Sequence, residues 1–117
     1  MIRGLGIDLV SEKQVKGWLA WSRARLDKVL APCEVREMAD RGWGARHLAA
    51  RVAAKEALFK ATGVSFRPFE AGVVRERGHP PAFWLSERLA TLLEGTTLHL
   101  SLSHAGGMAM ACVVATD

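Results

Sequence analysis

Apolar and polar residues alternate near both ends of the chain, which predicts strands there. Residues 2–10 are the first such segment. One face of this strand carries Ile2, Gly4, Gly6, Asp8 and Val10, and the other carries Arg3, Leu5, Ile7 and Leu9. Because glycine has no side chain, we expect the first face to leave room for a ligand or another group to approach Asp8.

Helical spacing follows the first strand. A helix is expected from about Ser11, whose hydroxyl would cap it, to Leu26, and one side of it carries Val15, Trp18, Leu19 and Ser22. Pro32 begins a second, shorter helix that runs to about Asp40, because proline is tolerated in the first turn of a helix. Residues 41–44 are expected to form a loop.

The third predicted helix is the longest, from about Ala45 to Thr62, with Gly63 as its C-terminal stop. An apolar stripe follows this helix at spacings of four, four and three residues: Leu48, Val52, Glu56 and Phe59. The spacing therefore predicts that Glu56 lies within a buried apolar face. Lys60 lies four residues beyond it, on the neighbouring edge.

The second half of the chain has shorter elements. We expect extended segments at 69–76 and 82–85, a helix over 86–93 capped by Ser86, and a hairpin of strands 97–104 and 108–115 around the turn 105–107. In the first hairpin strand one face carries Leu98, Leu100, Leu102 and His104, and the other carries Thr97, His99, Ser101 and Ser103. The order of elements predicts an α+β fold.

Length and composition narrow the class of protein. At 117 residues the chain suffices for one hydrophobic core, so we expect a single domain over residues 1–117. Half of the residues are hydrophobic, which excludes a disordered chain. Neither a membrane span nor a signal peptide is indicated, and the isolated Cys33 and Cys112 form no disulfide framework. A reducing cytoplasm is the expected location.

The positive charge is concentrated in the first half. Residues 1–60 hold 12 Lys/Arg against 7 Asp/Glu, whereas residues 61–117 hold 4 against 5. Such a basic half is typical of proteins with an anionic partner, although a solvated helix surface explains the charge equally well. Trp18 and Trp21 could stack on bases, but no nucleic-acid motif accompanies them, so a nucleic-acid-binding protein is the weakest hypothesis.

Three charged residues are the main candidates for chemistry. Asp8 alone is typical of a turn, and Glu56 with Lys60 alone is typical of a surface pair on a helix. Taken together, two carboxylates near cations fit an oxygen-coordinated Mg²⁺ that also contacts substrate phosphates. Arg51 and Lys55 form a second, basic ridge on the same helix.

His104 ends an apolar strand face, where it is either a core histidine or, with Ser103 and the glycine turn, a donor to phosphate. A serine–histidine catalytic pair is rejected, because adjacent residues of a strand point to opposite faces and no nucleophile elbow is present. Gly4 and Gly6 also lack the third glycine of a dinucleotide-binding motif.

Five motifs occur in a characteristic order: Gly4-Leu-Gly6-Ile-Asp8, Val29-Leu-Ala-Pro32-Cys-Glu34, Arg51-x-x-x-Lys55-Glu56-x-x-x-Lys60, Gly78-x-Pro80 and Ser101-Leu-Ser-His104. In this order they resemble holo-acyl-carrier-protein synthases, the small 4′-phosphopantetheinyl transferases. The resemblance extends from Met1 to the final strand. It implies their fold, an antiparallel sheet packed against a long central helix.

The resemblance also implies an activity. The 4′-phosphopantetheine arm of coenzyme A would pass to a serine of an apo acyl or peptidyl carrier protein, which releases adenosine 3′,5′-bisphosphate and serves fatty acid and lipid biosynthesis. Asp8 and Glu56 would hold Mg²⁺, Glu56 would help to remove the serine proton, directly or through a metal-bound water, and Lys60 would neutralise the leaving phosphate. Coenzyme A contacts are implied for Arg51, Lys55, Lys60, Gly63, Ser103 and His104.

The resemblance further implies an acidic, helical carrier protein as partner, no nucleic acid and no membrane, and a homotrimer with sites between subunits. Three positions depart from the family pattern: Ser11 replaces an acidic residue, Gln14 replaces an arginine that faces the carrier protein, and Gly63-Val64-Ser65 replaces Gly-Thr-Gly. These departures leave an alternative, a paralogue that binds coenzyme A or a carrier protein without transfer.

Overall fold

The computed structural model describes residues 1–117, and its elements follow the predicted order closely. The strands are β1 (Ile2–Ser11), β2 (Ala71–Val74), β3 (Ala82–Leu85), β4 (Thr97–Ala105) and β5 (Met108–Thr116). The α-helices are α1 (Glu12–Val15), α2 (Arg23–Leu26), α3 (Pro32–Arg41), α4 (Ala45–Thr62) and α5 (Glu87–Leu92). Short 3₁₀ turns occupy Lys16–Ala20 and Pro68–Glu70.

The main sheet is antiparallel, with β5 between β1 and β4, and β2 and β3 form a separate two-stranded sheet. The helix α4 packs across one face of β1 and β5. This arrangement confirms the expected α+β fold with an antiparallel sheet against a long central helix. No helix in the structure is both long and apolar enough to cross a membrane.

Small residues bring α4 unusually close to the sheet. Four buried alanines recur every four residues along the helix, Ala49, Ala53, Ala57 and Ala61, and alternate residues of β5 are also buried. A Cβ atom on Gly4 would collide with the carbonyl oxygen of Ala61, and one on Gly6 would collide with that of Ala57. The glycines therefore do permit the close approach that was expected, but the group that approaches is the backbone of α4 and not a ligand.

The helix predicted from Ser11 to Leu26 is interrupted. Ser11 caps α1 as expected, and its hydroxyl accepts a hydrogen bond from the backbone N–H of Lys13. The backbone of Trp21 is extended, and Ser22 then caps a new helix. The Trp18 and Trp21 rings stack with their centroids 4.6 Å apart. A glycine at position 17 also weakens helix continuation, so the apolar spacing here reflects three short segments rather than one helix.

The other predicted elements agree with the structure within a few residues. Gly63 ends α4 in the left-handed conformation, with φ 69°, and Ser86 caps α5. The segment expected to be extended from residue 69 begins instead with the 3₁₀ turn, and its strand covers only Ala71–Val74. Pro68 favours that turn, because its ring restricts φ to helical values.

Candidate active site

Asp8 and Lys60 meet where β1 passes the last turn of α4. The Lys60 amine donates to the Asp8 carboxylate, with Nζ 3.3 Å from Oδ1, and to the backbone oxygen of Ile7 at 3.0 Å. The close contact of Gly4 and Gly6 with α4 places the strand at this depth. The structure therefore brings together two residues that are 52 positions apart in the sequence.

Glu56 lies one helical turn before Lys60 and is exposed, so its predicted place in a buried stripe is wrong. The buried side of α4 is formed instead by its alanines, Leu48 and Leu58. The Glu56 carboxylate takes part in no ion pair in the structure. It borders a cavity of about 280 Å³ whose other lining residues are Trp18, Val29, Val52, Lys55, Phe59, Ser65, Phe66 and Pro68. A free carboxylate at the edge of a largely apolar cavity is available to accept a proton or bind a cation.

The donor set of this corner fits Mg²⁺ held together with a substrate. Asp8 and Glu56 supply carboxylate oxygens, which are the ligands that Mg²⁺ prefers. No cluster of three or more His, Cys, Asp or Glu residues is present. Mg²⁺ typically binds through one or two carboxylates together with water and substrate phosphates, so two carboxylates suffice for this kind of site.

Lys55 precedes Glu56 and lines the same cavity, but its amine is already paired. Its amine is buried and donates to Glu34, with Nζ 2.6 Å from Oε1, and also to the backbone oxygen of Ala71. Burial lowers the pKa of Lys55, and the adjacent Glu34 carboxylate opposes that change. The amine thus joins α4 to α3 and β2, and the contact of Lys55 with coenzyme A stays a prediction.

Glu34 completes this buried cluster and was not predicted as a key residue. Its two carboxylate oxygens also accept hydrogen bonds from the backbone N–H groups of Ala31 and Val73, at 2.9 Å and 3.1 Å. A glutamate three residues after a helix N-cap is half of a capping box, and Ala31 has no side-chain oxygen to supply the other half, so the local signal for Glu34 is weak. Its pairing with Lys55 depends on tertiary packing and leaves no local signal.

Arg51 is also buried, but it faces a different part of the surface. Its guanidinium lies over the Trp43 ring, 4.7 Å from the centroid, and pairs with Glu37 at 3.3 Å. Burial lowers the pKa of Arg51, and Glu37 opposes that change. The Nε atoms of the Arg51 and Trp43 side chains are buried without a protein acceptor. Arg51 therefore combines a fixed position with unused hydrogen-bonding capacity.

A second cavity brings Arg51 together with Ser103 and His104. Its volume is about 310 Å³, and Arg46, His47, Ala50, Arg75 and Leu102 also line it. Three arginines at one cavity make it suitable for an anion. Burial is also the main cause of a lowered pKa at His47, which favours its neutral form. Arg46 and Arg75 were not predicted from the sequence, since neither stands in a motif.

The remaining candidate, Gly63, lies just beyond Lys60 at the end of α4. It is exposed, and a Cβ atom there would meet nothing within 4 Å, so φ rather than space requires the glycine. Its direct contact with coenzyme A remains a prediction. Along α4, Arg51 and Glu56 are separated by about 7.5 Å of helix axis and about 140° of rotation, so the two cavities border different faces of the helix.

Comparisons with known proteins agree with this geometry. Residues 4–113 match the model of the 4′-phosphopantetheinyl transferase superfamily. The holo-[acyl-carrier-protein] synthase of Clavibacter michiganensis subsp. michiganensis is 37% identical over 121 residues, which cover 97% of this chain and 95% of that protein.

Solved structures extend the similarity to the fold. The holo-[acyl-carrier-protein] synthase of Neisseria meningitidis superposes with a TM-score of 0.88 at 32% identity and covers 100% of both chains. An ACPS–CoA complex from Chronobacterium ammoniagenes has a TM-score of 0.78 at 31% identity, with 97% of this chain and 96% of that chain covered.

Proposed function

Because this chain belongs to the 4′-phosphopantetheinyl transferase superfamily, we propose that it transfers the 4′-phosphopantetheine arm of coenzyme A to a serine hydroxyl of an apo acyl carrier protein. The observation that carries this proposal is the Asp8–Lys60 pair, which on this scaffold lies one helical turn from Glu56 and the cavity that Glu56 borders. The proposal places the enzyme in the cytoplasm and in fatty acid and lipid biosynthesis.

The two cavities suggest how coenzyme A lies on the protein. The arginine-lined cavity with Ser103 and His104 suits the nucleotide phosphate, since Arg51 is held there by Glu37 and Trp43. Its diphosphate would then reach Lys60 and the two carboxylates at the other end of α4. A fixed cation supports catalysis, because phosphoryl transfer needs positioning and charge neutralisation more than covalent help.

The reaction itself follows from these positions. The serine oxygen of the carrier protein attacks the phosphorus that bears the pantetheine arm, and a new phosphodiester bond forms. The Glu56 carboxylate accepts the serine proton as the oxygen becomes a nucleophile. The bond to the bridging oxygen breaks, and adenosine 3′,5′-bisphosphate leaves with its negative charge beside Lys60.

Asp8 and Glu56 are the residues that would hold Mg²⁺. When bound, the ion would neutralise charge on the diphosphate of coenzyme A. Asp8 contributes to this arrangement even without the ion, because its carboxylate anchors the Lys60 amine. We expect dialysis against a chelator to abolish transfer and added Mg²⁺ to restore it. Transfer that persists unchanged without divalent cations would remove the metal from the proposal.

The basic first half suits an acidic carrier protein. Gln14 does not contribute a charge there, and its side chain instead accepts a hydrogen bond from the backbone N–H of Ser11 at 2.9 Å. Arg25 lies over the Trp21 ring, 3.8 Å from its centroid, and is one of the exposed cations of this half. Electrostatic steering weakens as salt is added, so kcat/KM for the carrier protein should fall with ionic strength.

The proposal includes a homotrimer with sites between neighbouring subunits. The outer face of β1 is apolar and uncovered in the single chain, with Leu5, Ile7 and Leu9 exposed by 62%, 53% and 58%. Val114 and Cys112 of β5 stand beside Leu5 and Ile7 and extend this face. Apolar patches of this kind typically mark contacts between proteins. Light scattering should give three times the chain mass, and Ile7→Asp should dissociate the assembly.

The decisive experiment is incubation of the protein with coenzyme A, Mg²⁺ and a panel of apo carrier proteins. Mass spectrometry should detect the addition of one phosphopantetheine arm to at least one carrier. The engagement of Gln14 in a helix cap favours one rival, a paralogue that binds coenzyme A without transfer. Calorimetric binding of coenzyme A with no transfer to any carrier would establish that rival. Retention on DNA that falls steeply as salt is added would instead support the nucleic-acid hypothesis, whereas a shallow salt slope or no retention would dispose of it.

A further inference from the structure

Residues 63–67 form an irregular loop between α4 and the 3₁₀ turn that begins at Pro68. Ser65 and Phe66, in the middle of this loop, line the cavity beside Glu56. The loop is therefore one wall of the candidate active site, and the position of that wall depends on the contacts that hold it.

The contacts within the loop are few. At its start, the backbone N–H of Val64 donates to the Thr62 hydroxyl at 3.2 Å, and at its end that of Arg67 donates to Glu70 at 2.8 Å. Between these points, one hydrogen bond from outside reaches the backbone, where the Arg88 side chain donates to the Ser65 oxygen at 3.2 Å. Arg88 is thus the outside anchor for the middle of the wall.

Arg88 is itself held by a buried carboxylate. Its Nε and Nη2 atoms donate to the two oxygens of Glu70 at 2.9 Å and 2.8 Å, in a two-point pair. The Ser86 hydroxyl also donates to Glu70, at 3.2 Å. A two-point pair fixes the plane of the guanidinium, so the third contact, to Ser65, has a defined direction.

The direction of the Ser65 carbonyl has a consequence for its neighbour. No cis peptide is present, so the Ser65 oxygen and the Phe66 N–H lie on opposite sides of one planar unit. When Arg88 holds the oxygen, the Phe66 N–H is directed away from Arg88. Neither this N–H nor that of Ser65 donates to a protein acceptor, which leaves two donors in the wall of the cavity.

We propose that Arg88, held by Glu70, is a positioning residue for transfer, because it fixes the Ser65–Phe66 peptide in the wall beside Glu56. This inference rests on the proposed function. Arg88 touches neither substrate nor reacting atoms. Its removal should therefore lower the fraction of molecules in which the loop has the conformation that binds coenzyme A. Loss of a competent population weakens apparent affinity in proportion.

The test compares Arg88→Ala, Arg88→Lys, Glu70→Gln and a control, Glu87→Gln, by steady-state kinetics with coenzyme A. Glu87 is exposed on the same helix and its side chain makes no hydrogen bond or ion pair. Arg88→Ala should raise KM for coenzyme A about tenfold with kcat changed less than about twofold, as expected for loss of a charged hydrogen bond. Glu70→Gln should act in the same direction, Arg88→Lys should recover part of the affinity, and the control should match the wild type.

Two results would overturn the inference. Unchanged KM in Arg88→Ala would show that the loop needs no anchor. A loss of kcat in proportion to the folded fraction in thermal melts, with KM unchanged, would show a purely structural role. The wild type separates this inference from the proposed function. If the wild type binds coenzyme A but transfers nothing, only the proposed function is wrong, because the affinity of each variant for coenzyme A can still be compared by calorimetry. If the wild type neither binds coenzyme A nor transfers its arm, both the proposed function and this inference are wrong.

Discussion

Two lysines on α4 pair with carboxylates from other elements, and their surroundings differ. Lys55 and Glu34 retain 7% and 0% of their side-chain exposure, and both Glu34 oxygens also accept backbone hydrogen bonds. Lys60 and Asp8 retain 51% and 20%, and their closest atoms are 3.3 Å apart. The first pair is enclosed and held by further hydrogen bonds to the backbone, whereas the second is open to solvent.

Under the proposed function, this difference separates a structural ion pair from a catalytic one within a single motif. A buried charge is costly unless its partner and hydrogen bonds are in place, so the Lys55 pair tolerates no change. An exposed pair contributes little to stability, and its groups remain free to exchange partners when a phosphate arrives. Neighbours in the sequence thus serve different purposes because α4 has one face in the core and another in the cleft.

The largest expected effect is on stability, from Lys55→Met. This change leaves the Glu34 carboxylate buried without its cation, which should lower the free energy of unfolding by about 3–5 kcal/mol. Urea denaturation measures it. As a control, Arg23→Ala breaks the exposed pair with Asp27 and should change stability by less than about 1 kcal/mol. If the two substitutions lowered the free energy of unfolding equally, enclosed and open pairs would not differ in their contribution to stability.

Next in size is the loss of transfer in Glu56→Gln. The amide keeps the shape but accepts no proton, so the rate should fall at least about a hundredfold. Stability should change by less than about 0.5 kcal/mol, because the side chain is exposed and unpaired. The carrier mass assay and urea denaturation give both values. Glu94→Gln, at another exposed carboxylate, serves as the control, and a wild-type rate in Glu56→Gln would exclude Glu56 from the mechanism.

A smaller loss is expected for Lys60→Met. Removing this cation from the leaving phosphate should slow transfer about ten- to a hundredfold, whereas Lys60→Arg keeps the charge and should recover most of the rate. Both variants should unfold within about 1 kcal/mol of the wild type. If Lys60→Met were as unstable as Lys55→Met, the Asp8 pair would be structural after all.

The smallest effect concerns a pair of intermediate character, a buried Glu70 with an exposed Arg88. Hydrogen bonds from Arg88 and the Arg67 backbone lower the pKa of Glu70 to about 2, from its ordinary value near 4.5. A carboxyl with a lowered pKa stabilises the fold fully above its ordinary pKa and loses that contribution as pH falls toward 2. The advantage of wild type over Glu70→Gln in urea denaturation should therefore shrink between pH 4.5 and pH 2. A pH-independent difference would contradict the lowered pKa.

Local signals predicted most elements, and long-range packing explains the errors. The bounds of α4 follow from Gly63 and from helix-forming residues, and the hairpin follows from its alternation and glycine turn. The buried side of α4 was misjudged because alanines surround much of the helix, so larger residues such as Val52 and Phe59 suggested the wrong stripe. The Asp8–Lys60 contact and the Lys55–Glu34 pair join distant segments, and only the assembled fold defines them.

The contact of Gly4 and Gly6 with the carbonyl groups of α4 has a consequence for redesign. It ties Asp8 to the helix that carries Glu56 and Lys60 by main chain against main chain. Substitutions in the cleft lining around Phe59 or Phe66, made to fit a new carrier protein, should therefore leave the spacing of Asp8, Glu56 and Lys60 unchanged. The same contact also limits such redesign. A methyl group added at Gly6 would push the strand away from the helix, and Asp8 would then move relative to Glu56 and Lys60 although all three residues are still present.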